Sequence, residues 1–298
     1  MKHIIEASRL EKAYGDFTAV RNASFTVLEN KIYGLLGRNG AGKTTLMKMI
    51  TAQIIPTSGD IKVFNENPYE NNKVLKQICF IKESQKYPDN FLVKDVLDVS
   101  RSLFPNWDAD FAYSLIESFN LPVNRRIKKL SRGMLSAVGI VVGLASRAPL
   151  TVFDEPYLGL DAVSRGIFYN RLMEDYVEHP RTVILSTHLI DEVSNLLEHV
   201  LVIADGELTI DEDAEKLRGM AYTVTGKAAI VEKFLAGKEV VHQEPFGGLL
   251  SATVIRNDHY SGQNQAESLD LEVSSVSLQQ LIVYLTGGKR DQKGAVAK

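Results

Sequence analysis

A chain of 298 residues, 45% hydrophobic and 24% charged, has enough apolar side chain to bury one large core or two modest ones, which excludes an unfolded polymer. Its formal net charge of −3 gives no general attraction for nucleic acid or an anionic membrane surface, so any phosphate it binds must be held by local geometry. No apolar run approaches the roughly 18 to 20 residues that cross a bilayer, and the opening MKHIIEASRLEKAYG lacks the apolar stretch of a signal peptide. The single cysteine, Cys79 in the run ICFI, cannot close an intrachain disulfide. A reducing cytoplasm is the expectation, with Cys79 a buried small hydrophobe.

From Ile4 to about Glu215 short apolar runs alternate with amphipathic stretches, the pattern of helices flanking a largely parallel sheet. The spacing predicts strands at Ile32–Leu36, Ile61–Phe64, Ile78–Ile81, Leu150–Phe153, Thr182–Leu185 and Val200–Ile203. Between Val93 and Ser146 the strand signal disappears and a helical insert is expected, with Asp108 as an N-cap and Pro122 as a break. After Leu217 the rhythm changes. Lys227–Leu235 reads as helix, Leu249–Arg256 and Ser268–Val273 as extended, with polar SGQNQAES between them. This predicts a small α+β extension over 218–288, and GGKRDQKGAVAK suggests a disordered tail from 289.

Gly37-Arg38-Asn39-Gly40-Ala41-Gly42-Lys43-Thr44 fits G-x-x-x-x-G-K-[ST], after the apolar run KIYGLL and before the helical pattern TTLMKMI. Glycines let successive backbone N–H groups turn inward and hold phosphate oxygens at the positive end of a helix. Lys43 would reach the β- and γ-phosphates, Thr44 would offer its hydroxyl to Mg²⁺, and Thr45 would meet the α-phosphate. Phosphate loops are shared by several classes of nucleotide enzyme, so later residues must choose among them. Leu150-Thr-Val-Phe-Asp154-Glu155-Pro156 is an apolar strand ending in two carboxylates, where an open α/β sheet gathers its ligands. Asp154 would hold Mg²⁺, and Glu155 would polarise an attacking water.

These motifs and those that follow resemble the ATP-binding cassette (ABC) family, in the family's order and over most of the first 210 residues. Leu130-Ser131-Arg132-Gly133-Met134 resembles the signature loop, with Arg132 in place of a glycine and Met134 in place of glutamine. Gly159-Leu160-Asp161 resembles the D-loop, and Ser186-Thr187-His188 the switch that puts His188 on the γ-phosphate. Tyr14 matches the aromatic residue that stacks on adenine. The stretch ICFIKESQKYPDNFLVKDVL occupies the place of the Q-loop, with Glu83 at the key position and Gln85 two residues further on.

The resemblance implies a P-loop NTPase cassette, residues 1–217, of α/β class. It would have a mainly parallel core sheet, an N-terminal antiparallel β subdomain and a helical subdomain at about 84–148. It implies ATP and Mg²⁺ as ligands, and head-to-tail pairing with a second cassette, like or unlike, whose ATP meets Ser131, Arg132 and Gly133 in trans. Separate integral-membrane permease subunits would complete the assembly at the cytoplasmic face of the cell membrane. YGLLGRNGAGKTTL and the short spacing from phosphate loop to signature resemble the export-type cassettes, including antibiotic and peptide exporters. The rival reading is a soluble cassette ATPase acting on nucleic acid or ribosomes. Against it stand a single phosphate loop, no long heptad run and no basic or aromatic platform.

Overall fold

The structure is a computed structural model that describes residues 2–82, 85–256 and 261–294. It divides into two compact units, one of residues 1–189 and 196–211, the other of residues 190–195 and 212–298. Among the described residues no helix is long and apolar enough to cross a membrane.

The first unit runs β1 (His3–Tyr14), β2 (Phe17–Leu28), β3 (Ile32–Leu36), α1 (Lys43–Ile50), β4 (Ser58–Val63), α2 (Asn72–Leu75), β5 (Ile78–Ile81), α3 (Val93–Leu103) and α4 (Ala109–Ser118). A 3-10 turn (Ile127–Lys129), α5 (Arg132–Ala145), β6 (Leu150–Asp154), α6 (Ala162–Glu178) and β7 (Thr182–Thr187) follow. The chain then forms α7 (Ile190–Val193), β8 (His199–Ala204) and β9 (Glu207–Asp213). The main sheet has the order β5-β6-β7-β3-β8-β9, with β5/β6, β6/β7, β7/β3 and β3/β8 parallel. Every residue of β3, β6 and β7 is buried, which is why IYGLL, LTVFD and TVILST read as continuous apolar runs rather than alternating ones. β1 pairs antiparallel with β2 and with β4 in a separate three-stranded sheet. The strand expected at Ile61–Phe64 forms as β4, which begins earlier, ends at Val63 and belongs to this antiparallel sheet.

The helical insert forms as expected, and Asp108 does cap α4, its Oδ1 accepting from the Phe111 N–H at 2.8 Å. A buried ion cluster ties the end of α5 to α6 and the start of β7. Asp175 accepts from Arg147 Nη2 at 2.9 Å and from Arg181 Nη1 at 2.6 Å, while Arg147 also meets Asp108 at 2.8 Å.

The second unit takes α7 with α8 (Ala214–Gly219), β10 (Ala221–Lys227), α9 (Ala228–Phe234), β11 (Val240–Phe246), β12 (Leu249–Ile255), α10 (Ser261–Ser268), β13 (Glu272–Ser275) and α11 (Leu278–Gly294). Its antiparallel sheet has the order β11-β12-β10-β13, a split βαβ arrangement over a core that includes Val224, Val231, Ala252 and Val254. The expected boundary at Leu217 lies earlier in the chain, between residues 211 and 212, because α8 and residues 190–195 pack with this unit. SGQNQAES is a helix, not a connector: Ala266 is fully buried, and tertiary packing on one small residue overrides a polar composition. α11 continues to Gly294, through residues where a disordered tail was expected. Its first turns are anchored by buried Leu278, Leu281 and Ile282, and an anchored helix propagates at little cost per residue.

Candidate functional site

The loop between β3 and α1 owes its shape to its glycines. Gly37 has φ +150°, and a Cβ there would lie 2.2 Å from the Ile203 carbonyl oxygen; Gly42 has φ +112°, and its Cβ would lie 2.4 Å from that of Ala19. Neighbouring backbone thus excludes any side chain at either position. Asn39 and Gly40 are exposed, and buried Ala41 ties the loop down, its N–H donating to Arg38 O and its carbonyl accepting from the Gly206 N–H. Gly42 precedes α1 with no side-chain cap, so the positive end of the helix is left for an incoming group. The ammonium of Lys43 is buried, and it is held by Gly37 O at 2.7 Å and Arg38 O at 3.3 Å, with Glu155 Oε1 at 3.6 Å. Thr44 lies on the exposed side of the helix start and Thr45 is half-buried.

The carboxyl ends of β3, β6 and β7 converge here, because Leu36 is in register with Thr187 and Asp154 with Ser186. Asp154 accepts from Thr44 Oγ1 at 2.8 Å and from Ser186 Oγ at 3.1 Å. Burial raises its carboxyl above the usual range, and those two hydrogen bonds act against the rise. Glu155, just past the strand, takes φ +48°, a region costly for a side chain of this size. Its Oε2 accepts from the Tyr157 hydroxyl and lies 2.8 Å from His188 Nδ1. Its Oε1 is buried with no hydrogen-bond partner, leaving one lone-pair-bearing atom directed at Lys43.

Tyr157 is 2% exposed, and its hydroxyl also accepts from Thr187 Oγ1 at 2.8 Å and from the His188 N–H at 3.0 Å. Burial and then the hydrogen bond to Glu155 push its ionisation well above the ordinary phenol value, so it remains a donor at all physiological pH. The Tyr157 and His188 rings are 5.7 Å apart. Tyr157 is not identified as a site residue by sequence motifs, and Thr187 stands in the switch motif without a role of its own. An aromatic two places after a strand-end glutamate reads as core, and only the fold shows its hydroxyl among the polar groups.

The remaining expected site residues are placed as follows. Tyr14 ends β1 opposite Phe17, 49% exposed, with Lys12 Nζ 5.3 Å from its ring centre. Ser131 caps α5, its Oγ accepting from the Met134 N–H at 3.2 Å, and Arg132 is exposed. Gly133 packs so closely on the next loop that a Cβ would lie 2.5 Å from Gly159 O, and Ser136 Oγ donates to Leu158 O at 2.7 Å. The start of α5 and residues 158–160 therefore form one packed piece. Asp161 caps α6 through the Ser164 N–H at 2.7 Å, a bond that holds its carboxyl below the usual range. Gln85 is half-buried, and Glu83 lies outside the described residues.

A family model described as "ABC transporter" matches residues 20–158. The chain is 29% identical over 310 residues to the bacitracin transport ATP-binding protein BcrA of Bacillus licheniformis, with 97% of this chain and 99% of that protein covered. It is 30% identical over 228 residues to the bacitracin transport ATP-binding protein BcrA of Enterococcus faecalis, with 75% of this chain and 74% of that protein covered. A solved dimeric ATP-binding cassette in a post-hydrolysis state, bound to ADP and Pi, superposes with a TM-score of 0.62 at 21% identity, covering 70% of this chain and 98% of its own. With a glycine loop, a carboxylate pair and His188 brought together at the carboxyl ends of the sheet strands, and with relatives of this likeness, the chain belongs to the ABC transporter family as an ATP-binding subunit.

Proposed function

We propose that this subunit hydrolyses ATP at the cluster of Lys43, Thr44, Asp154, Glu155 and His188, and that cassette pairing couples hydrolysis to export through separate membrane subunits. The observation that carries the proposal is the convergence of these side chains beside a glycine loop at the open positive end of α1. The loop amides of Gly40 to Thr45 cradle the phosphates, and Lys43 exchanges its carbonyl partners for phosphate oxygens. Tyr14 stacks on the adenine, its exposure leaving one ring face available. Thr44 and Asp154 suit Mg²⁺, since both offer hard oxygen atoms, 2.8 Å apart across the loop and strand end. When bound, the ion neutralises charge on the phosphates. Glu155 takes a proton from the attacking water through Oε1, which accepts no hydrogen bond and is freed from Lys43 when that ammonium turns to the phosphates, and His188 faces the γ-phosphate.

Ser131, Arg132 and Gly133 close on ATP held by a second cassette, with the capped start of α5 supplying amides and Arg132 a charge. Asp161 marks the loop that packs against the signature in the same subunit. Glu83 or Gln85 relays the state of the site to the permease, which places the subunit on the cytoplasmic face of the membrane. The bacitracin names of the relatives support a peptide antibiotic as cargo class. Replacing Glu155 with glutamine tests the core of the reading. The E155Q chain should lose turnover by at least about 100-fold, keep ATP affinity, and accumulate an ATP-bound dimer in size-exclusion chromatography. Near-normal phosphate release would remove Glu155 from the role of base.

A further inference from the structure

We infer that Tyr157 is a positioning residue for ATP hydrolysis, its hydroxyl anchoring one oxygen of the Glu155 carboxylate so that the other is presented to the attacking water. This rests on Glu155 being the base.

A phenol has one proton to give and two lone pairs to share. At Tyr157 all three are used: the proton goes to Glu155 Oε2, and the lone pairs accept from Thr187 Oγ1 and the His188 N–H, while His188 Nδ1 also lies 3.2 Å from the hydroxyl. His188 Nδ1 lies 2.8 Å from the same Oε2, so Nδ1 carries the hydrogen that points there, and the phenol proton has Glu155 as its acceptor. Two donors therefore saturate Oε2, while Oε1 accepts no hydrogen bond and faces the Lys43 ammonium 3.6 Å away. The asymmetry fixes which oxygen works as base. Glu155 needs such an anchor, because its backbone sits at φ +48° just beyond the end of β6, where no strand partner holds the side chain. Tyr157 itself is rigid: it is 2% exposed, its ring lies against that of His188, and its hydroxyl is tied to β7 through Thr187. The one hydroxyl thus locks the base on β6 to the switch histidine after β7, so that movement of His188 toward nucleotide and the aim of Glu155 are linked.

The test uses the purified full-length chain with ATP, comparing Tyr157→Phe with the unmodified protein by kcat, KM and ATP affinity in calorimetry. Phenylalanine keeps the ring and removes only the hydroxyl. The expected result is a fall in kcat of about 10- to 100-fold with KM and ATP affinity within about twofold, since misaiming a reacting group by a fraction of an ångström costs rate rather than binding. A kcat within twofold of the parent overturns the assignment. So does a parallel loss of kcat, affinity and melting temperature, which is the signature of a packing role. Because Tyr157→Phe strands the Thr187 hydroxyl, a second variant combines it with Thr187→Val; restored melting temperature with kcat still depressed upholds the positioning role, and restored kcat overturns it. Glu155→Gln run alongside keeps the two readings apart: if that variant turns over normally the base assignment fails, whereas its inactivity beside a normal Tyr157→Phe chain condemns Tyr157 alone.

Discussion

Replacing Asp175 with asparagine should destabilise the first unit by about 3 to 5 kcal/mol, although the change touches neither the phosphate loop nor the carboxylate pair. The Asp175 side chain is 1% exposed and Arg181 is 4% exposed, so neither can turn to water when the other is lost. Asparagine preserves shape and removes charge. Arg147 keeps Asp108 at 2.8 Å, but Arg181 is left with the carbonyls of His179 at 3.3 Å and Leu144 at 3.4 Å, and its Nε already has no partner. The cost is that of a buried cation without a counter-charge, not the worth of a surface ion pair. For a unit of this size each kcal/mol moves the melting temperature by about 2 to 4 °C, so the transition should fall by about 6 to 20 °C. Scanning calorimetry suits the measurement, because it separates the transitions of the two units if they melt independently. Exchanging both partners, Asp175→Leu with Arg181→Met, should recover most of the loss, since no charge is then stranded. A loss below about 1 kcal/mol for Asp175→Asn, or a double variant no better than the single, would refute the reasoning.

Gly37→Ala should weaken ATP binding by at least about 10-fold, because the added methyl would lie 2.2 Å from the Ile203 carbonyl oxygen and the loop must move; calorimetry with ATP reads this directly. Lys43→Ala should weaken ATP binding as well by removing a charged phosphate contact, and unchanged affinity would show that Lys43 does not reach the nucleotide. Cys79 is 1% exposed and burial pushes its thiol up to about 12, with Ser146 and Arg181 acting in the opposite direction. At neutral pH a disulfide reagent should therefore label the native chain at least about 100-fold more slowly than the urea-unfolded one, and rapid labelling of native protein would contradict the packing around β5.

Much of the site is legible in the chain because phosphate chemistry constrains contiguous residues. A loop that wraps phosphate needs glycines at fixed spacing before a helix, so Gly37 through Thr45 can be read without knowing the fold. Asp154 and Glu155 are legible for a related reason, a fully buried strand ending abruptly in two carboxylates. The buried strands β3, β5, β6 and β7 announce themselves through uninterrupted apolar runs, whereas β10 and β11, half-exposed and interrupted by Gly226 and Pro245, do not. The placement of β4 in the antiparallel sheet and the helix at SGQNQAES depend on partners distant in sequence, as does the division of the chain at residues 211 and 212.

The sequence by itself determined the local chemistry: which backbone could turn around a phosphate, which carboxylates ended a strand, and which residue caps α4. Tertiary structure alone decided how separate segments share those groups. Register between β6 and β7 sets Asp154 beside Ser186, and it brings the Tyr157 hydroxyl to Glu155, Thr187 and His188. Hydrogen bonds between strands depend on register and burial, and neither is written in the spacing of a single motif.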